Sequence, residues 1–577
     1  MRRLQRVIGL TATGTAIVLA AAACTGSGAP SGTKSSGTAA SNSGSAPSTH
    51  DASHNGGTLH LVANSAGGTL DPQVNYTLQY WQLYQATYDG LITYARVGGE
   101  QSFDIVPDLA TALPVVGDDG KTYTFTLRKG IKFSTGAPVT VADVVASFQR
   151  LFKVSSPNAG SWYDVIVGAD ACLKTPATCT LAGGVVGDAA SNTITFHLTQ
   201  PDGEFEDQLA MPFASILPAG SPAKDAGTSP LPTTGPYYFS SYNPNSALVL
   251  KRNPYFSSWS PLAAPAGYPD EIEETFGLTT EAEVTAIENN QADWMYDSPP
   301  PDRLTELSTK YADQVHLNQL TALWYLALNT NIAPFNNLQA REAINWAVDR
   351  AAVVKQYGGT VLASPACTIL PPGFPGHVDS CDYTTGGTST WSGADLAKAQ
   401  QLVKASGTAG QSVGVVVQND SVNEAIGEYL QSLLDQLGYK ATLKPLSNNI
   451  QYTYIQNTKN KVQLSLTQWY QDYPAPSDFL QVLLSCASFH PNSDTSINIS
   501  GYCNSALDAK MAAAEKLGLT DAATANQQWG QIDQDFMKES PLVPLFTPKL
   551  VDFTSSRVGN YQFSLQYYML VDQLWLK

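Results

Sequence analysis

The stretch VGVVVQNDSVNEAIGEYLQSLLDQLGYKATLKPL, residues 413–446, carries three signals in a row. Val413 to Val417, four valines around Gly414, reads as a buried strand. Ile426, Leu430, Leu433, Leu434 and Leu437 then recur at the spacing of one helix face, and Gly438 supplies a stop. Ala441 to Leu446 is strand-like again. Strand, helix and strand in succession predict an α/β lobe.

Working towards the N-terminus, further elements emerge. Asp118-Asp119-Gly120 is a turn, after which Tyr123, Phe125 and Leu127 alternate with Thr122, Thr124 and Thr126, predicting a half-buried strand. Thr140 with Asp143 three residues on is a helix-start signature, and Val144, Val145, Phe148 and Leu151 form the apolar face behind it. Ile194, Phe196 and Leu198 alternate as a second strand. Thr58 to Ala63 reads as an opening strand, and Leu78, Trp81, Tyr84 and Tyr88 follow at near-helical spacing. There is no internal repeat and no long heptad run.

Ahead of residue 58 the chain changes character. Arg2, Arg3 and Arg6 precede an apolar run to Ala23 that is broken by threonines and glycines, which reads as a signal peptide (1–23) rather than a span of ~20 apolar residues. Residues 24–57 are almost all Ser, Gly, Thr, Ala, Asn and Pro, a flexible linker with a reach of roughly 30 Å. The remainder of the 577-residue chain exceeds one ordinary core, so two or three lobes are expected. The formal net charge is −17, and loss of the signal segment removes three arginines and no acid. A body this acidic repels nucleic-acid phosphates and anionic lipid, so nucleic acid is excluded as a partner. Beyond Cys24 stand six cysteines in three sequence-local pairs. An even number in an exported chain predicts disulfides, and proximity pairs Cys172 with Cys179, Cys367 with Cys381, and Cys486 with Cys503. The absence of any C-x-x-C pair argues against zinc, and no metal or cofactor is expected.

Ala21-Ala22-Ala23-Cys24 resembles the lipobox of bacterial lipoproteins, in which the cysteine is acylated; Ala21 stands where Leu is usual. A longer constellation resembles the extracellular solute-binding proteins of peptide- and nickel-type ABC importers, family 5. Its parts are Thr69-Leu70-Asp71-Pro72, Tyr88-Asp89-Gly90-Leu91, Val106-Pro107-Asp108-Leu109-Ala110 and the run from Asp118 through Tyr123-Thr124-Phe125 and Gly130-Ile131-Lys132-Phe133 to Gly136-Ala137-Pro138-Val139-Thr140. Thr234-Gly235-Pro236-Tyr237, Lys251-Arg252-Asn253-Pro254-Tyr255, Leu328-Asn329-Thr330-Asn331, Pro334-Phe335, the run Arg341 to Arg350, and Asp472-Tyr473-Pro474-Ala475-Pro476 complete it in order. The resemblance implies a two-lobed periplasmic-binding-protein-like α/β fold (type II, cluster C) with an extra inserted domain. Lobe 1 would comprise 58–76, 200–320 and 546–577, the insertion 77–199, and lobe 2 residues 321–545. Most of these segments suit turns, strands and a packed helix, and so identify the fold more than the site.

The exception is the segment around Asp472. In peptide-binding relatives the matching aspartate pairs with the ligand's α-ammonium, and a cation in a water-poor cleft needs such a counter-charge. Nickel-type relatives lack it. The alternative is that Asp472 merely braces the Tyr473 to Pro476 turn. Trp469 and Tyr470, at the end of an expected strand from Leu464, and Tyr452 are candidate aromatic walls; Asn75 and Tyr76 match a ligand-facing stretch. Some oligopeptide binders carry an arginine on the Asp472 strand for the ligand carboxylate, where Leu466 stands here.

The implied role is capture of a small solute, a peptide, by a monomeric lipoprotein on the outer face of the cell membrane, and its delivery to an ABC permease driven by a separate ATPase. An oligosaccharide is the alternative ligand, since aromatic walls also stack on sugar rings. A secreted enzyme is the remaining rival: there is no G-x-S-x-G and no H-E-x-x-H, Val115 stands where a P-loop before Gly120-Lys121-Thr122 needs glycine, and Ser31-x-x-Lys34 lies in the tether. His197 falls on the polar face of its strand.

Overall fold

The structure is a computed structural model that describes residues 50–577 apart from Thr388 and Thr495, and of Asn448 and Asn449 the backbone alone. The expected signal segment, Cys24 and the linker up to residue 49 lie outside the described residues. Residues 50–57, expected as the end of that linker, pack on the body: the His50 ring stacks on Tyr268 at 4.4 Å and the His54 ring on Trp575 at 4.1 Å. The reason is the aromatic pair itself, which two flat rings in an otherwise small-residue stretch can cover.

The opening motif behaves as its pattern dictates. Ser412–Gln418 and Lys440–Leu446 are parallel strands joined by the helix Ser421–Gln436, which Asp420 caps. They belong to a seven-stranded sheet whose order is Val315–Gln319, Leu542–Phe553, Ala322–Leu328, Leu464–Tyr470, Ser412–Gln418, Lys440–Leu446, with Ala363–Pro365 paired to Leu542–Phe553. Every residue of Ala322–Leu328 is buried, because helices cover both faces of this sheet. Alternation sorts its side chains: Trp324, Leu326 and Leu328 enter one core with Val413, Val415, Val417 and Leu466, while Leu323, Tyr325 and Ala327 enter another with Val416, Phe479 and Phe536. The run Arg341 to Arg350 forms two helices rather than one, Leu338–Ala347 and Arg350–Tyr357, because the Asp349 carboxylate accepts the Ala351 and Ala352 N–H groups and starts the second. The buried Arg350 guanidinium donates to the Pro544 carbonyl, and Arg341 to those of Phe335 and Glu539.

A second, five-stranded sheet has the order Trp294–Met295, Thr58–Ala63, Glu271–Phe276, Ala247–Arg252, Tyr237–Asn243, with Thr58–Ala63 parallel to Glu271–Phe276. An antiparallel four-stranded sheet, Val115–Gly117, Thr122–Thr126, Thr193–His197, Val185–Asp188, packs against the helix Val141–Lys153 through Phe148 and Phe196, whose ring centres lie 4.8 Å apart. The Asp143 carboxylate accepts both the N–H and the hydroxyl of Thr140, as the start signature predicts. Asp118, Asp119 and Gly120 make the expected turn with positive φ. One apolar core runs through both of these sheets, joining Leu59 and Leu61 to Phe125 and Phe196. The disulfides are Cys172–Cys179, Cys367–Cys381 and Cys486–Cys503, the sequence-local pairs.

Candidate functional site

Leu464–Tyr470 lies inside the seven-stranded sheet, antiparallel to Ala322–Leu328 and parallel to Ser412–Gln418. Its first four residues are buried and its last two progressively emerge, so the strand delivers Trp469, Tyr470 and then Asp472 to its C-terminal end. That end is where open α/β sheets hold ligands.

The turn after it is built without the Asp472 side chain. The Ala475 N–H donates to the Tyr473 carbonyl, the Asp472 N–H donates to the Asp478 carboxylate at 2.9 Å, and the Gln566 amide donates to the Asp472 carbonyl at 3.0 Å. Asp478 is therefore the brace. The Asp472 carboxylate instead accepts the hydroxyl of Tyr76, which arrives from the loop after the five-stranded sheet's opening strand. Among the described residues no basic side chain forms an ion pair with Asp472, Asp478 or Glu204. Desolvation pushes the Asp472 carboxyl up to about 6, against the stabilising Tyr76 bond. Asp478 goes well above the ordinary carboxylate range through burial and the Asp472 charge, opposed by the Asp472 N–H and the Trp469 indole.

Aromatic rings surround this carboxylate. Tyr76, 46% exposed, stacks on Trp81 at 5.3 Å and meets Phe213 and Trp162 edge-on. Trp162 in turn meets Tyr473 at 5.6 Å. Tyr452, on the helix Asn448–Gln456, is held at about 12 by burial and by the Asp472 charge. Tyr452 and Trp469 both lie half-buried against the same core, and Tyr470 is 41% exposed. Asn75 is different: it is 3% exposed, its amide donates to the Gly67 and Thr69 carbonyls, and its oxygen accepts from the Thr77 N–H and hydroxyl. All four of its hydrogen-bonding positions are used within the loop, so its side chain shapes the Tyr76 loop. Leu466 is buried in the core, away from any solvent-facing wall. Trp162, Phe213, Asp478 and Gln566 were not singled out from the sequence, and Tyr473 only as part of the turn. No group of three His, Cys, Asp or Glu side chains able to hold a metal occurs among the described residues.

The model of the bacterial extracellular solute-binding proteins, family 5 Middle, matches residues 104–490. The chain belongs to this family. It is 27% identical over 509 residues to the glutathione-binding protein GsiB of Salmonella choleraesuis (strain SC-B67), covering 85% of this chain and 89% of that one. It is 26% identical over 466 residues to the periplasmic oligopeptide-binding protein OppA of Escherichia coli (strain K12), covering 77% and 79%. Among solved structures, clavulanic acid biosynthesis oligopeptide binding protein 2 superposes with a TM-score of 0.82 at 23% identity, covering 91% and 96%. The murein tripeptide binding protein MppA, in its unliganded open form, gives 0.72 at 22%, covering 90% and 97%. The fold is accordingly the two-lobed α/β fold of the family, and this family 5 member is a solute-binding protein rather than an enzyme. Among the described residues no helix is long and apolar enough to cross a membrane.

Proposed function

We propose that this family 5 protein captures a peptide by its free amino terminus between two lobes and hands it to an ABC permease driven by a separate ATPase. One observation carries the reading. Asp472 stands at the C-terminal end of a central strand with no cationic partner among the described residues, its carboxylate left over from the turn it belongs to and met only by the Tyr76 hydroxyl. An α-ammonium placed there supplies the counter-charge, and Tyr76 comes from the loop that follows the five-stranded sheet's opening strand, so one ligand group touches both sides. The names of relatives support the ligand class: GsiB is called glutathione-binding and OppA oligopeptide-binding, and a further neighbour of this fold is DppA of Helicobacter pylori in complex with the peptide STSA.

In this reading lobe 1 holds 58–76, 200–320 and the C-terminal residues, the insertion holds 77–199, and lobe 2 begins at 321. The return to lobe 1 at residue 546 then falls within the strand Leu542–Phe553. Cys24 would carry the lipid that keeps the receptor beside its permease. Mass analysis of the N-terminal peptide tests that, with an acylated Cys24 expected and an unmodified one against it.

The test of the ligand reading is binding of a tetrapeptide library and its N-acetylated twin to the native chain and to Asp472→Asn. The native protein is expected to prefer the free amines, and the variant to lose at least about 30-fold, since unpairing a buried charge costs 2 kcal/mol or more. Unchanged affinity in the variant would hand the site to a neutral ligand such as an oligosaccharide.

A further inference from the structure

The main chain of Asp472 is held on both sides, by side chains from different parts of the sequence. Its N–H donates to Asp478, on the helix Ser477–Leu484 that follows at once. Its carbonyl accepts the side-chain amide of Gln566 at 3.0 Å, from 94 residues away. Gln566 is 4% exposed, and both ends of its amide are engaged. Nε2 donates to the Asp472 carbonyl and, at 3.5 Å, to the Met211 sulfur, while Oε1 accepts from the Gln471 amide at 2.8 Å. Two backbone carbonyls force this orientation. A carbonyl only accepts, so Asp472 demands the nitrogen of Gln566. Gln471 also donates to the Leu565 carbonyl at 3.1 Å, which turns its nitrogen towards the Gln566 oxygen. The segment that carries Gln566 is itself tied down. The Leu565 N–H donates to the Ser102 hydroxyl at 2.8 Å, the Gln566 and Tyr567 N–H groups to the Ser564 hydroxyl, and the Tyr567 hydroxyl to the Ala210 carbonyl at 3.0 Å.

We propose that Gln566 is a positioning residue of the peptide site. Buried behind Asp472, it aims that carboxylate so that an ammonium on the α-carbon is told apart from one displaced by a methylene. The inference rests on the peptide reading. The Asp472 N–H belongs to the peptide plane before the α-carbon and its carbonyl to the plane after it. Holding both planes fixes φ and ψ, and with them the direction of the Cα–Cβ bond that points the carboxylate. A charge held in this way is preorganised, and a preorganised partner selects by position. Asp478 supplies one hold from the turn itself; Gln566 supplies the other from outside it. In the lobe division proposed above Gln566 belongs to lobe 1 and Asp472 to lobe 2, so the aim of the carboxylate depends on how the two stand together. Met211, the third partner of Gln566, lies two residues before Phe213, whose ring meets Tyr76 edge-on. One amide therefore ties the backbone of Asp472 to the segment that also supports the Tyr76 ring.

The test is titration calorimetry of the full chain with two tetrapeptide sets that differ only in starting with alanine or with its isomer β-alanine, and with the N-acetylated alanine set. The native chain is expected to favour the alanine set over the β-alanine set by at least about tenfold, since a small misplacement from a fixed partner costs on that order or more. Gln566→Met keeps the length of the side chain and removes its polar contacts, and should bring that ratio close to unity. Beside Asp472→Asn it should cost nothing further, because it acts through that carboxylate. Gln471→Met removes the hold on the Gln566 oxygen; it should lower the ratio in part, and decides alone if Gln566→Met does not fold. Three results overturn the proposal and leave the peptide reading standing: no alanine preference in the native chain, a ratio that these variants retain, or a Gln566→Met loss that persists in full beside Asp472→Asn. Equal binding of free and acetylated peptides by the native chain overturns the peptide reading, and the proposal with it.

Discussion

An ionised Asp472 is costly where it stands, and one hydroxyl offsets part of that cost. The Tyr76 bond favours the charged carboxylate, which desolvation disfavours, and the balance falls at about 6. If an ammonium is the ligand group, only the charged form binds it, so affinity should fall as the pH drops through about 6. Tyr76→Phe removes the favourable term and moves the carboxyl higher. The pH midpoint of peptide binding should therefore rise, by about one unit on the scale of a hydrogen bond to a charged group. A midpoint that stays put in a pH series of binding isotherms would show that Tyr76 does not tune Asp472. Asp472 and Tyr76 could be named as candidates through the family resemblance, Asp472 in a matched segment just beyond a strand end and Tyr76 in a matched stretch of the loop after the opening strand. The bonds that consume Asn75 were not legible, since its partners Gly67 and Thr69 meet it only through the folded loop.

At the scale of elements, Asp71 shows what the family-signature segments do. Its carboxylate accepts two Arg150 N–H groups, at 3.0 and 2.5 Å, and the Ala226 and Gln73 N–H groups, tying the loop after the opening strand to the helix Val141–Lys153. Both partners are buried, so Asp71→Ala strands a guanidinium in the core. The expected loss is about 3–5 kcal/mol in denaturant unfolding, because breaking one half of a buried pair costs more than the pair contributes; a loss below 1 kcal/mol would show that the loop repacks. Strands and helices with a single apolar face, such as Thr193–His197 and Ser421–Gln436, could be read from periodicity to within a few residues. The break at Val348-Asp349 was less visible because apolar side chains continue across it, and only the cap at Asp349 divides the two helices. Trp162 and Phe213 joined the Tyr76 cluster from segments far apart in the chain, with no local pattern to announce them.

For the whole molecule, buried acids set the pH response. Burial raises Asp207, Glu274 and Glu515 to about 7 and Asp472, Asp533 and Asp552 to about 6, from ordinary values near 4. The folded chain thus holds protons that the unfolded chain releases, and stability contributed by these groups is present below about 4 and lost as the pH rises through 6 to 7. The ligand-free protein should melt at a higher temperature at pH 5 than at pH 8; calorimetric scans showing the reverse would mean that ion pairs outweigh these acids. Lowering the net negative charge acts in the same direction. The central claim, that a free amino terminus is what Asp472 holds, meets its most direct test in native mass spectrometry of the protein purified from its host. A bound mass that fragments as a peptide with an unblocked amino terminus is the predicted result, and a saccharide or an N-blocked peptide in its place would contradict it.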